Sequence, residues 1–203
     1  MKFTSNDIKK LDKVYRLNLI NSITGIKPAN LIATRSKDGV DNVAIFSSVV
    51  HLGSNPAMIG FVMRPQSDKK SDTYQNIIDT NVYTINHITT EIYKKAHLSS
   101  IKTSQSEFDL LKIDKENHNF SAPFVKGSPV QMGMRLLKGI DLPNKCIFII
   151  GEPELILVND KIISNEGKLN LESANTVGLS GLDGYYSLEF LESLPYVRKI
   201  EDK

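Results

Sequence analysis

The chain has 203 residues, of which 40% are hydrophobic and 24% are charged, values typical of one globular domain. Its 25 basic and 23 acidic residues leave a net charge of +2, which argues against nucleic acid or an anionic membrane as the main partner. No apolar run approaches the roughly 20 residues of a membrane-spanning helix, and the N-terminus lacks the apolar core of a signal peptide. The sequence therefore predicts a cytoplasmic protein with a single domain over residues 1–203.

The first predicted elements are a helix and a β-hairpin. Apolar residues recur every three or four positions over Asn6–Asn21, which predicts an amphipathic N-terminal helix within residues 1–24. Ala29–Thr34 and Val40–Phe46 then flank the dipeptide Asp38-Gly39, a turn signal that joins adjacent strands.

Most of the remaining chain alternates between strand patterns and short helices. A helix is predicted to begin at Ser71, and a second one covers Glu91–Leu98. The many strands and few helices predict a mainly β fold with peripheral helices, arranged as an antiparallel barrel. The further strands are predicted over Ala57–Met63, Val82–Ile88, Pro129–Leu137 and Lys145–Val158.

Two segments have no clear periodicity. Residues 99–126 are polar and weakly patterned, which predicts a long loop or a lid that runs over the surface. Residues 175–203 begin with a glycine-rich stretch and are interpreted as a C-terminal tail with a short helix near Leu188–Leu191.

The residues with reactive or metal-binding side chains form no recognisable catalytic motif. Cys146 is the only cysteine, so it cannot form an internal disulfide, and no serine stands in a nucleophile motif. The sequence therefore predicts no metal site and no catalytic side chain. The four histidines, which lack the spacing of metal ligands, are His51, His87, His97 and His118.

One group of residues does point to a ligand. Arg64, Lys69 and Lys70 lead directly into Ser71-Asp72-Thr73, where a helix is predicted to begin. A helix start offers unpaired N–H groups and a partial positive charge, so added cations and hydroxyls suit a phosphate. The alternative is a capped surface helix behind a solvated basic loop, and these residues alone favour that alternative.

A second unusual stretch interrupts the strand that ends at Phe46. Ser47 and Ser48 place two hydroxyls where a core strand would have valine or isoleucine. They belong either to a strand-end turn or to a place where backbone and small side chains approach a polar, planar ligand.

The order of motifs resembles the flavin reductase-like, FMN-binding split-barrel family. Thr34–Ser48 is similar to the family's T-x-x-x-G-x-x-N-x-A-x-F-S block, and Lys70–Ile77 is similar to its basic-Asp-Thr-x-x-Asn-Ile block. The resemblance covers roughly Pro28–Asn159, and the ordered set is more specific than any one block. Further blocks follow in the family's order at Tyr83–Asn86, Ser106–Phe108, Gly127–Val130 and Phe148–Glu152.

This resemblance implies a six-stranded antiparallel split β-barrel that binds FMN and forms a homodimer. It implies a flavin reductase-like oxidoreductase that passes a hydride from NADH or NADPH to the flavin. Two alternatives stay open: an FMN protein that shuttles electrons between protein partners, and a barrel that has lost its flavin and serves as a binding module. We expect Ala57–Met63 and Leu179–Tyr186 at the subunit boundary.

The resemblance and the two local patterns together predict the cofactor-binding residues. We expect small residues in the interrupted strand to present backbone N–H groups to the flavin ring, with apolar neighbours as its wall. The phosphate is expected at the cations and hydroxyls of Arg64–Thr73. The full cofactor-binding set is Asn42, Ala44, Phe46, Ser47, Ser48, Val49, Arg64, Lys69, Lys70, Ser71, Thr73 and Asn76.

Overall fold

The computed structural model describes residues 1–103 and 105–195. The helices are α1 Ser5–Lys10, α2 Lys13–Ser22, α3 Asp72–Thr80, α4 Tyr93–Leu98 and α5 Glu107–Leu110. The strands are β1 Lys27–Pro28, β2 Asn30–Arg35, β3 Asp41–Phe46, β4 Val50–Ser54, β5 Ala57–Met63, β6 Val82–His87, β7 Lys115–Glu116, β8 Phe124–Val125, β9 Val130–Asp141, β10 Ile147–Val158, β11 Val177–Ser180 and β12 Gly184–Ser187.

A seven-stranded antiparallel sheet carries the fold, in the order β3-β2-β6-β9-β10-β5-β4. Its two edge strands, β3 and β4, do not pair with each other, so the barrel is split between them. The predicted mainly β split barrel is confirmed, but the sheet has seven strands and not six. The extra strand is β4, which lies almost entirely exposed at the edge and therefore lacks the alternation that marks a half-buried strand.

Apolar side chains fill both faces of this sheet. On β2, Ile32 faces one cluster, whereas Leu31 and Ala33 face the other. Successive side chains of a strand point to opposite faces, so a strand buried on both sides is apolar at nearly every position. We call the cluster around Ile32, Phe61 and Tyr83 the inner cluster, and the one that contains Leu31 and Ala33 the second apolar cluster.

The segment over residues 99–126 has little regular secondary structure, as expected of a long loop, but its described part also packs against the core. It contains α5, β7 and β8. Phe108, Ile113 and Val125 lie in the second apolar cluster, against Leu31 and Val43. Elements of two to four residues are too short to show a hydrophobic period, which is why the sequence pattern did not indicate them.

The N-terminal helix is broken into two. Leu11 has an extended backbone, and the Asp12 side chain caps α2 by accepting hydrogen bonds from the N–H groups of Val14 and Tyr15. An aspartate at this position favours a new helix start over continuation of the preceding one. Among the described helices, none combines the length and the apolar character needed to cross a membrane.

The glycine-rich stretch near the C-terminus is a β-hairpin. Strands β11 and β12 pair with each other, and β11 also pairs with β1. The helix predicted near Leu188–Leu191 is wrong, because this segment has no regular secondary structure. The last part of the predicted tail, residues 196–203, lies outside the described residues.

Candidate functional site

A buried hydrogen-bond network joins the start of α3 to β2 and β3. The Asn42 Oδ1 atom accepts from Thr73 Oγ1 at 2.9 Å and from Thr34 Oγ1 at 3.4 Å. Asn76 Nδ2 donates to Thr34 Oγ1 at 3.0 Å, and Asn42 Nδ2 donates to Glu107 Oε2 at 2.7 Å. All five side chains are buried. The network therefore fixes the first turn of α3 against β3.

Three of the predicted binding residues are members of this network. The hydroxyl hydrogen of Thr73 is committed to Asn42, so that hydroxyl is not free to donate to a ligand. Asn76 is likewise engaged with Thr34. The side chains of Asn42, Thr73 and Asn76 thus set the position of α3, and the backbone N–H groups of its first turn are left for an anion.

The start of α3 has the features of an anion seat. The first intrahelical backbone bond runs from Gln75 N–H to Ser71 C=O at 2.9 Å. The N–H groups of residues 72–74 therefore have no partner within the helix. The preceding loop exposes Arg64, Lys69 and Lys70. The three cations and the helix start favour a bound phosphate or carboxylate.

Gln66 occupies part of this seat. Its Oε1 atom accepts from the Ser71 N–H at 2.9 Å and from the Ser71 hydroxyl at 3.1 Å. Its Nε2 atom donates to the Arg64 carbonyl at 2.7 Å. A neutral side-chain oxygen therefore holds two donors that an anion would also use.

Glu107 is an unusual group at the base of the seat. Burial raises the pKa of its carboxyl, and the nearby Asp72 carboxylate acts in the same direction. Hydrogen bonds from the backbone N–H groups of Glu107 itself and Val43, and from Asn42, oppose the shift without cancelling it. No charged donor is among these partners, so only neutral hydrogen bonds hold the carboxyl group.

The interrupted strand has a structural explanation for one of its two serines. Ser48 Oγ accepts from Val62 N–H at 3.0 Å and donates to Val62 C=O at 3.2 Å. Val62 lies two residues beyond Gly60, the partner of Val50 at the start of β4. The Ser48 hydroxyl therefore replaces a main-chain partner at the point where β4 has not yet begun. The prediction that this residue serves the ligand mainly through its backbone leaves out this contact.

The outer edge of β3 offers backbone donors along the split. Val43 N–H donates to Glu107, on the side of β3 that faces away from β2. Backbone groups alternate along an antiparallel strand, so the N–H of Ile45 points to the same open side. Ser47 lies one residue beyond the end of β3, where the chain bends away from the strand direction. An elongated ligand with a phosphate at α3 could extend along this edge.

Apolar groups line the far end of that edge. Phe46 and Val49 pack against the inner cluster, and the ring of Phe46 meets that of Phe61 edge-on at 5.2 Å between centroids. Ala44 is half-buried between this end and the seat. Of the predicted cofactor-binding residues, Asn42, Ala44 and Phe46 thus lie on β3 and Ser47–Val49 follow its end, while Thr73 lies on α3 and is bonded to Asn42.

An open antiparallel barrel with an anion seat beside its split belongs to the split-barrel class of flavin-binding folds. Residues 26–168 match the family model described as "Flavin reductase like domain", which is most of the chain. The chain belongs to the flavin reductase-like family, and the resemblance seen in the sequence is confirmed.

Solved structures show the same fold over nearly the whole chain. A protein from Shewanella frigidimarina, assigned as a flavin reductase with a split barrel domain, is 38% identical with a TM-score of 0.93, covering 97% of this chain and 100% of that one. Nitrilotriacetate monooxygenase component B from Bacillus cereus is 19% identical with a TM-score of 0.83, covering 96% and 98%. The 2-nitrobenzoate 2-nitroreductase NbaA from Pseudomonas fluorescens is also 19% identical with a TM-score of 0.83, covering 100% and 99%. The family supports a flavin-binding oxidoreductase.

Sequence reasoning missed three residues of the site. Thr34 and Glu107 stand inside the quoted family blocks, so their positions were visible but their contacts were not. Gln66 lies outside those blocks, and no sequence signal indicates its contact with Ser71. Within residues 1–103 and 105–195, no group of three or more histidine, cysteine or acidic side chains could hold a metal ion.

Proposed function

We propose that the protein binds FMN and catalyses hydride transfer from NADH or NADPH to the flavin. The observation that carries the proposal is the anion seat at the start of α3, beside the open edge of β3. Three exposed cations and unpaired helix N–H groups can bind the phosphate of FMN. Riboflavin has no phosphate and gains nothing from them. Binding of the phosphate would displace the Gln66 oxygen from Ser71.

The chain's own residues bind and orient the reactants. When bound, the flavin supplies the hydride acceptor, and the protein supplies position and electrostatics. The outward N–H group of Ile45 and the backbone of Ser47 and Ser48, just beyond β3, would orient the ring. Phe46 and Val49 would exclude water from one side of it. No side chain is assigned as a proton donor or acceptor.

The phosphate contact is tested by replacing Lys69 and Lys70 together with alanine. Charge-assisted hydrogen bonds are each worth about 1.5–3 kcal/mol, so FMN affinity should fall about tenfold or more. Riboflavin affinity should stay within about twofold of the original value. Lys9→Ala with Lys10→Ala, an exposed pair in α1, is the matched control. Equal losses for both flavins would show that Lys69 and Lys70 do not contact phosphate.

The hydride transfer is tested by mixing the FMN-loaded protein with NADH or NADPH without oxygen. Rapid loss of the oxidised-flavin absorption would support the proposal. If only a reduced protein partner bleaches the flavin, the protein is an electron shuttle and the proposed reaction is wrong.

We also propose a homodimer, with α2 in the subunit boundary. Val14, Leu17, Ile20 and Ile23 follow one another at three-residue spacing and are 43–65% exposed. The strand expected at this boundary, β5, buries Phe61 and Met63 but leaves Ala57 exposed and Met58, Ile59 and Val62 half-buried, so it stays a candidate beside Leu179–Tyr186. Sedimentation should give twice the 22.7 kDa chain mass. A monomer that binds FMN tightly would contradict this proposal.

A further inference from the structure

We propose that Glu107 is a positioning residue for the cofactor's phosphate: it orients Asn42, and Asn42 in turn holds the first turn of α3. This inference rests on the proposed function, because it assumes that the phosphate lies at the start of α3. It also gives residues 99–126 a role, which is to place one carboxylate beneath the cofactor seat.

The geometry of α5 shows how the Glu107 carboxylate is positioned next to β3. The helix has only four residues, Glu107–Leu110, and is anchored by Phe108, which is 2% exposed in the second apolar cluster. Lys115 Nζ lies 5.6 Å from the centre of the Phe108 ring. The preceding residue, Glu107, is 5% exposed and is thereby directed at β3.

The carboxylate determines which way the Asn42 amide faces. An asparagine side chain has a donor end and an acceptor end that are nearly equal in size. The Oε2 atom of Glu107 accepts from the Nδ2 end of Asn42 at 2.7 Å, so this contact fixes the donor end of the amide toward α5. The Oδ1 end therefore faces Thr73 and Thr34. Without Glu107, the amide loses the partner that fixes this orientation.

The orientation of Asn42 matters because of where Thr73 lies. Thr73 is the second residue of α3, and its backbone N–H is one of those left unpaired at the seat. The 2.9 Å bond from Thr73 Oγ1 to Asn42 holds that residue against β3. Glu107 thus acts on the direction of the seat's donors without touching the ligand itself.

The test measures FMN and riboflavin affinities by flavin titration of Glu107→Ala, Glu107→Gln and Asp109→Ala. Glu107→Ala should weaken FMN about tenfold and riboflavin less than about twofold, since only the phosphate contact depends on α3. Glu107→Gln keeps an acceptor oxygen for Asn42 and Val43, so it should restore FMN affinity to within about threefold. Asp109 is exposed on the same helix, and its replacement should change neither affinity. If Glu107→Ala does not fold, Glu107→Asp, which withdraws the carboxylate by one carbon, should weaken FMN selectively instead.

A double-mutant cycle separates positioning from general destabilisation. Thr73→Val removes the hydroxyl through which Asn42 acts, so adding Glu107→Ala to it should change the FMN-to-riboflavin affinity ratio less than about twofold. Independent, additive effects of the two changes on that ratio would overturn the inference. So would an unchanged ratio in Glu107→Ala while Lys69→Ala with Lys70→Ala still lowers it. A wild-type protein that does not prefer FMN would instead reject the proposed function.

Discussion

Strand β2 carries a buried polar side chain at each of its ends, and the two ends differ in how those side chains are paired. At one end, Thr34 is fully buried and hydrogen-bonded to Asn42 and Asn76. At the other end, Asn30 is 1% exposed, and within the described residues neither its Nδ2 nor its Oδ1 atom has a hydrogen-bond partner. Thr34, Ile32 and Asn30 share one face of the strand because side chains alternate.

The surroundings of Asn30 differ from those of Thr34. Across the ladder, it lies opposite His87 on β6 and Phe46 on β3. Burial lowers the pKa of His87 to about 4, so this imidazole is neutral at pH 7. A cavity of about 220 Å³ lies at this end and is lined mainly by apolar side chains. An unpaired buried amide costs free energy, so the Asn30 end of β2 should lower the stability of the fold. The Thr34 end, with its hydrogen-bond network, should raise it.

The largest effect should come from breaking the network at its centre. Asn42→Ala leaves the buried carboxylate of Glu107 without its closest donor, and we expect a loss of about 3 kcal/mol in the free energy of unfolding. Urea denaturation measures it. Adding Glu107→Leu should recover part of the loss, because removal of both partners leaves no unpaired charge. A cost below about 1 kcal/mol for Asn42→Ala would show that the network does not hold α3.

The next largest effect is the pH dependence of stability caused by His87, which lies opposite Asn30 at the other end of β2. The folded-state pKa of His87, about 4, lies below the unfolded value of about 6.5. Its contribution to stability is therefore present above pH 6.5 and is lost as the pH falls from there toward 4, because the unfolded state takes up the proton first. Between pH 7 and pH 5 the original chain should lose about 2 kcal/mol more than His87→Gln. Equal pH dependence of the two proteins would mean that His87 is not buried as a neutral group.

The strands that the sequence pattern predicted well are those with strong burial signals. Ala57–Met63 is almost continuously apolar and forms β5 with the same bounds. The strand β4 and the elements of residues 99–126 were missed for opposite reasons. The first is exposed and shows no burial pattern, while the second is held by isolated buried residues such as Phe108. Hydrophobic periodicity detects extended, half-buried elements. It detects neither an exposed strand such as β4 nor very short elements such as those of residues 99–126.

The candidate site was predictable in its members and not in their contacts. Motif order placed Asn42, Thr73 and Asn76 in one site, and the structure brings these three into one network. The bond from Asn42 to Glu107 spans 65 positions in the sequence, so no local pattern could pair them. Their contacts with a flavin remain a prediction.

A smaller effect should follow from Ser48, where the split is bridged. Because the Ser48 hydroxyl satisfies both backbone groups of Val62, we expect Ser48→Ala to lose about 1.5 kcal/mol in unfolding free energy. Ser47→Ala is the control, since the Ser47 hydroxyl has no hydrogen-bond partner within residues 1–103 and 105–195. Equal stabilities of the two variants would show that the hydrogen bonds from Ser48 to Val62 do not stabilise the fold.

The smallest effect, and the only gain, should come from Asn30→Leu. Leucine has the same number and branching of side-chain heavy atoms as asparagine, and the adjacent cavity gives its larger methyl groups room to pack. The change removes two buried polar atoms that have no partner within the described residues, so the unfolding free energy should rise by about 1 kcal/mol. Asn76→Leu is the matched control at the other end: it deprives Thr34 of a donor and should lower stability by about 1–2 kcal/mol. Urea denaturation measures both leucine variants. Equal losses of stability would mean that the amide of Asn30 has a partner that offsets its burial, and that the two ends of β2 do not differ.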